Sequence, residues 1–253
     1  MSAASPVDMA SVAPRPARRR KRSSSFFGEA LILLRLVLEI LVIAIFIVTF
    51  IVQPFRIPSA SMQPTLFAGD FGLADKQSFE PEGPLSHLLP PVRIARGDLM
   101  VFHYPVDPQL YLVKRVVGVP GDRVRLRAGR VWIDEQPIAE PYAFYKPAVA
   151  NPFRDDFPWL PPVDPALAPP WWSQLRHAMH DGEVTVPEGQ YFVLGDNRND
   201  SEDSRYWGFV PRSAIVGRPL LVYFSLRPPS EETRPASLTH RLHEDLSHLR
   251  ILR

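Results

Sequence analysis

Cysteine is absent from the 253-residue chain, so disulfides and thiolate chemistry are excluded and the redox compartment cannot be read from thiols. Lysine is almost as scarce: Lys21, Lys76, Lys114 and Lys146 stand against 25 arginines, so each lysine beyond the first deserves its own explanation. The net charge of +2 is too small to point to a nucleic-acid partner. Between residues 53 and 160 no helix-length amphipathic pattern occurs, which argues against a helical bundle there. The seven histidines form no evident triad or ligand set. His240, His243 and His248 lie near the C-terminus, His177 and His180 stand three apart without further ligands, and His103 falls within a strand-like run. No metal and no cofactor is expected.

A long apolar run is present. From Ala30 to Val52 the chain reads "ALILLRLVLEILVIAIFIVTFIV", enough to cross a hydrocarbon core of about 30 Å. Arg35 and Glu39 interrupt it four residues apart, a spacing that pairs them on one helical face. We therefore expect a transmembrane helix over 26–52 and a disordered basic tail over 1–25. Arg15, Arg18, Arg19, Arg20, Lys21 and Arg22 precede the span with no acid between Asp8 and Glu29, which predicts a cytoplasmic N-terminus. A cleaved leader with "PSAS" as its processing site is the alternative. The length of the run and Pro58 speak against it.

Past residue 53 the pattern becomes that of strands. The runs 98–105, 111–126, 130–138, 190–197 and 214–226 are β-branched and aromatic, bounded by Gly, Pro, Asp or Asn. A mainly β, antiparallel domain over 53–226 is expected. Residues 77–93, with four prolines, read as a surface loop, and 141–172, with nine, as an irregular insertion or small subdomain. The tail over 227–253 places Leu238, Leu242, Leu246, Leu249 and Leu252 at helical spacing, predicting a helix over 237–253. It would pack on the domain or lie on a membrane surface.

Three stretches hold the candidate chemistry. "PSASMQPTL" (58–66) carries two serines two apart, and a serine hydroxyl needs a base within hydrogen-bond reach to act as a nucleophile. In "YLVKRVVGVPGD" (111–122), strand alternation puts Lys114 on the same face as Leu112 and Val116. A lysine on an apolar face loses hydration, which lowers its pKa and lets it serve as a base; an edge-strand lysine reaching solvent is the alternative. "GDNRNDSEDSRYWGFVP" (195–211) packs Asp, Asn, Ser and Arg between hydrophobic runs, as a solvated loop or a hydrogen-bonded network supporting a site.

With "RGDLMVF" (96–102) between them, these stretches stand in the order found in bacterial type I signal peptidases, and the chain resembles that family over roughly residues 30–226. The resemblance implies an antiparallel catalytic β domain of signal-peptidase/LexA-like type and a membrane-bound Ser–Lys endopeptidase. By it, Ser61 matches the nucleophile and Lys114 the general base. Ser59 matches the oxyanion-hole hydroxyl, and Ser201 the hydroxyl that orients the lysine. Asp203, Arg205 and Arg115 match a supporting polar cluster, with Asp196 and Asn197 in the same signature.

Two departures stand out. Ala60 replaces a common glycine, and "RND" at 198–200 inverts the usual order, leaving any role of Asn199 or Asp200 open. The family often has a second span near the N-terminus, whereas a single one is found in this sequence. The implied substrates are exported preproteins with Ala-x-Ala sites, and the implied location is the bacterial inner membrane, with the catalytic domain outside the cytoplasm. The lipid bilayer is then a partner and nucleic acid is not; oligomeric state is unreadable. Alternatives are a related Ser–Lys peptidase for a pilin-like precursor, a self-cleaving repressor (disfavoured by the membrane span), an inactive membrane-anchored scaffold, and a plain β domain on a stalk.

Overall fold

The structure is a computed structural model describing residues 23–76, 93–158, 170–226 and 250–252. Helix α1 (Ser23–Phe50) is long and apolar enough, from Phe27 to Phe50, to cross a membrane. Its large side chains from Leu31 to Phe50 are exposed all round, as a helix solvated by lipid requires. Arg35 Nε donates to Glu39 Oε1 at 2.7 Å, the pairing their spacing predicts. The helix stops at Phe50 because Val52 already belongs to a strand. Lys76 Nζ donates to the Thr49 carbonyl at 3.0 Å, satisfying one of the last helical acceptors.

From there the chain forms two antiparallel sheets. The first contains β1 (Val52–Arg56), β2 (Asp70–Asp75), β3 (Leu99–His103) and β4 (Tyr111–Gly118). The second contains β5 (Arg123–Arg127), β6 (Arg130–Ile133) and β7 (Gln136–Pro137). Short helices α2 (Pro152–Asp155) and α3 (Pro170–His177) follow, then β8 (Met179–His180) and β9 (Glu183–Thr185) of the second sheet. β10 (Gln190–Leu194), helix α4 (Ser204–Trp207), β11 (Val210–Pro211), β12 (Ile215–Ser225) and β13 (Arg250–Ile251) complete the described chain. The first sheet runs β1-β2-β12-β3-β4-β10-β11, with β13 on β12; the second runs β7-β6-β5-β9-β8.

Burial explains the strand sequences. Leu99, Val101 and Val113 face a core with Phe55, Ile57, Met62 and Leu66. Met100, Phe102 and Val116 face the opposite one, with Tyr191, Val193 and Trp207. β3 and β4 are thus covered on both faces and read as continuous apolar runs. Lys114 interrupts such a run, and that makes it unusual.

Two expected strands are divided by turns. The run 111–126 breaks after Gly118, where Pro120 precedes Gly121 (φ 89°) and the Asp122 carboxylate accepts from Val119 N at 2.9 Å. The run 130–138 breaks at Asp134 and Glu135, both at positive φ, in a two-residue hairpin turn. Residues 1–22, 77–92, 159–169, 227–249 and 253 lie outside the described residues, and with them nearly all of the expected tail over 1–25, most of the expected loop and the middle of the proline-rich insertion. The expected helix over 237–253 falls there too, apart from its end. At that end Arg250–Ile251 is extended and pairs with Leu221 and Val222, where the edge of β12 offers backbone partners.

Candidate active site

Ser61 sits in a single 3₁₀ turn, Ala60–Met62, between Pro58 and Pro64. Gln63, preceding a proline, is extended and ends the turn. Met62 and Leu66 anchor the segment in the core, which fixes the buried Ser61 at the sheet surface. Ser59, extended at the head of the turn, makes no capping bond; its Oγ donates to Ser61 Oγ at 3.1 Å.

Lys114 comes from the middle of β4, opposite Met100 of β3, and only 3% of its surface is exposed. Its Nζ donates to Ser201 Oγ at 3.0 Å, and Ser201 Oγ donates to Asp203 Oδ2 at 2.7 Å. Asp203 caps α4 and is held by Arg205 through Nε and Nη2, both at 2.8 Å, and by Gly195 N at 3.0 Å. Burial pushes the Lys114 pKa down to about 8; the negative Asp203 opposes this, and the positive Arg205 reinforces it. Burial also pushes the Asp203 carboxyl up, but the Arg205 charge and hydrogen bonds outweigh it and hold the carboxyl below its ordinary value. The site therefore combines a fixed carboxylate with an amine that sheds its proton near neutral pH.

Ser59, Ser61, Lys114 and Ser201 line one cavity of about 530 Å³, with Tyr104, Leu112 and Trp207 among its walls. Arg115, Asp196, Asn197, Asp203 and Arg205 do not line it; they stand behind it. Arg115 grips Asp196 with bonds of 2.8 and 2.7 Å and donates to the Gly97 carbonyl at 2.7 Å. Asn197 N donates to Ser61 O at 3.0 Å and its Nδ2 to Ala60 O at 3.1 Å, tying the signature loop to the serine turn. Among the described residues no cluster of three or more His, Asp or Glu side chains could hold a metal ion.

The family model described as signal peptidase, peptidase S26, matches residues 30–224. The chain belongs to this family. Signal peptidase I of Pseudomonas fluorescens is 39% identical over 199 residues, covering 74% of this chain and 69% of that one. Signal peptidase I of Pseudomonas aeruginosa is 34% identical over 210 residues, covering 78% and 73%. A crystal structure of a signal peptidase I from Enterococcus faecalis V583 aligns with a TM-score of 0.37 at 30% identity, over 50% of this chain and 96% of that chain.

Several parts of this S26 peptidase's site escaped the sequence reading. Gly195 is one: a Cβ there would collide with Ser201 Oγ and the Ser61 carbonyl, so the close approach of the loop needs glycine. Thr65 donates to Asp196 Oδ2 at 2.6 Å. Arg198, almost fully buried, pairs with Glu140, which is 58 residues away along the chain. Gly195 and Thr65 lie inside quoted motifs and were within reach; the Glu140 partnership has no local signal. Asp200 is exposed and accepts from Lys146 at 3.2 Å, and both Asn199 and Asp200 border the cavity.

Proposed function

We propose that this protein is a membrane-anchored serine endopeptidase that removes signal peptides from exported preproteins, with Ser61 as nucleophile and Lys114 as general base. The observation that carries this reading is a buried lysine, its pKa lowered to about 8, sharing one cavity with a paired-serine turn in a chain of the S26 family. Ser61 Oγ attacks the carbonyl carbon of the scissile bond while its proton passes to Lys114 Nζ. The resulting ammonium protonates the departing amine, the C–N bond breaks, and an ester to Ser61 remains. Water, giving its proton to the same amine, then hydrolyses the ester and frees Ser61.

Ser201 and Asp203 support the base. The Ser201 proton is directed at Asp203, so Ser201 accepts from the amine and does not compete for its lone pair. The Ser59 hydroxyl, 3.1 Å from Ser61 Oγ, and the Ser61 backbone N–H are the donors we assign to the oxyanion, each worth about 3 kcal/mol of barrier. Arg115, Asp196, Asn197 and Arg205 hold these groups in place.

Orientation follows from charge. The basic cluster before the apolar helix supports a cytoplasmic N-terminus, with residues 53 onward on the outer side of the bacterial plasma membrane. There the catalytic domain shares a compartment with the cleavage sites of exported preproteins. Cleavage of a preprotein with an Ala-x-Ala site by the detergent-solubilised full chain tests the reading. Product masses should place the cut after the second alanine; an uncut substrate, or a cut elsewhere, would contradict it.

A further inference from the structure

The segment Glu140–Tyr145, which leads into the proline-rich stretch over 141–172, lies directly on the loop that carries Ser201. Phe144 N donates to Asp196 O at 2.7 Å and Arg198 N donates to Phe144 O at 2.9 Å, forming a short parallel bridge between Phe144 and Asn197. Glu140 accepts from both terminal nitrogens of Arg198, with only 5% of the Glu140 side chain and 2% of the Arg198 side chain exposed. Burial works against the Arg198 charge, and the Glu140 carboxylate outweighs it and keeps the guanidinium charged. Arg198 Nε reaches the Gly195 carbonyl at 3.0 Å, and Arg205 Nη2 reaches the Arg198 carbonyl at 3.0 Å. The Arg115 guanidinium stacks 4.0 Å from the centre of the Tyr142 ring while it holds Asp196.

The loop 195–201 is thus gripped on two sides. Asn197 fastens it to the Ser61 turn, and Glu140–Tyr145 closes over the other side through a buried ion pair, two backbone bonds and a stacked ring. Neither Glu140 nor Arg198 lines the cavity that holds Ser61 and Lys114. Arg198 directly precedes the lining residues Asn199, Asp200 and Ser201, and Glu140 reaches them through Arg198.

We infer that Glu140–Tyr145 is a clamp on the signature loop, and that Glu140 and Arg198 are positioning residues that hold Ser201 against Lys114. The inference rests on the assignment of Ser61 and Lys114 as the reacting pair. It gives the start of the proline-rich insertion a task in catalysis. A loosened clamp lets the loop withdraw, so that Ser201 no longer orients the amine and water reaches it. Lys114 faces Asp203, Arg205, Glu202 and Asp196, all within or just beyond the clamped loop, so its titration senses any shift of that loop.

The test compares wild type with Glu140→Gln and Arg198→Lys as full chains in detergent. Hydrogen exchange over residues 195–201 is measured alongside kcat, KM and pH profiles for an Ala-x-Ala preprotein. The clamp predicts faster exchange confined to 195–201, kcat lower by about 10- to 100-fold, and KM within about twofold of wild type. It also predicts an activity limb moved from about 8 toward the 10.5 of a free lysine. Arg198→Lys keeps the charge but cannot span Glu140 and Gly195 together, so it should show the same pattern and is the variant to read if Glu140→Gln does not fold. Unchanged exchange at 195–201, or a loss of thermal stability with wild-type kcat and pH limb, would overturn the clamp. The exchange result judges the clamp even if wild type cuts nothing; that outcome instead removes the proposed function.

Discussion

Lys114 Nζ donates to Ser201 Oγ at 3.0 Å, and the Ser201 proton is spent on Asp203. This directionality leaves the amine with a lone pair that Ser201 does not occupy. In the deprotonated state the lone pair is available to the Ser61 proton, which is what a base in this cavity requires. The arrangement is tuned by burial, because the same amine in water would hold its proton well above neutral pH.

The first expectation concerns pH. Lys114 must be neutral to accept a proton, so activity is low below its pKa and rises as pH passes through about 8. On the acid side kcat/KM should change about tenfold per pH unit and then level off. A limb centred near 10.5, the value of an unperturbed lysine, would show that the amine is not desolvated in the working enzyme.

Ser201→Ala removes the acceptor that orients the amine and leaves Asp203 with one donor fewer. The loss of a hydrogen bond to a charged group is worth about 1.5–3 kcal/mol, or roughly 10- to 100-fold in kcat. KM should stay close to wild type. Full activity in this variant would mean that the lysine is positioned by packing alone.

Gly195→Ala places a methyl group against both Ser201 Oγ, at the far end of the same loop, and the Ser61 carbonyl of the serine turn. Relief requires the loop to move off the serine turn. We expect about 1–3 kcal/mol of destabilisation together with a drop in kcat larger than that of Ser201→Ala. Thermal denaturation and steady-state cleavage on the same preparation separate the two effects; a variant with normal kcat would mean the loop accommodates the methyl elsewhere.

The Arg115–Asp196 pair is buried, with the Asp196 side chain at 0% exposure. Arg115→Met strands that carboxylate and should cost about 3–5 kcal/mol, whereas Arg115→Met with Asp196→Leu should cost much less. Denaturation midpoints of the two variants check this. Activity should fall in both, because each loses the Arg115 guanidinium that joins Asp196 of the signature loop to the Gly97 carbonyl; equal stabilities in the two variants would argue against a stranded charge.

Much of the site was legible because its parts lie in short local motifs. Alternation along β4 put Lys114 with Leu112 and Val116, and those two residues do pack on the same face in the structure. The strand runs were also readable, since covered strands carry continuous β-branched and aromatic residues. Their breaks at Asp134–Glu135 were missed because neither residue is a glycine, although both take positive φ. β1 and β2 were missed for a different reason. Pro54 and Gly72 dilute their β signal, and Gly72 is there because Phe55 and the Leu221 carbonyl leave no room for a side chain. Glu140 was invisible for want of any sequence feature that points across 58 residues to Arg198.

Orientation can be tested in the cell. A reporter that works only in the cytoplasm, fused after residue 226, should be silent, and one that works only outside should be active. The opposite pattern would place the catalytic domain on the wrong side for its substrates.

The most direct measurement is cleavage of an Ala-x-Ala preprotein by wild type beside Ser61→Ala and Lys114→Ala, with folding of each variant checked by thermal denaturation. The account predicts a single cut by wild type and losses of about 10³-fold or more in both variants. Near-wild-type cleavage by a folded Lys114→Ala would contradict it, and the base would have to be sought elsewhere in the cavity.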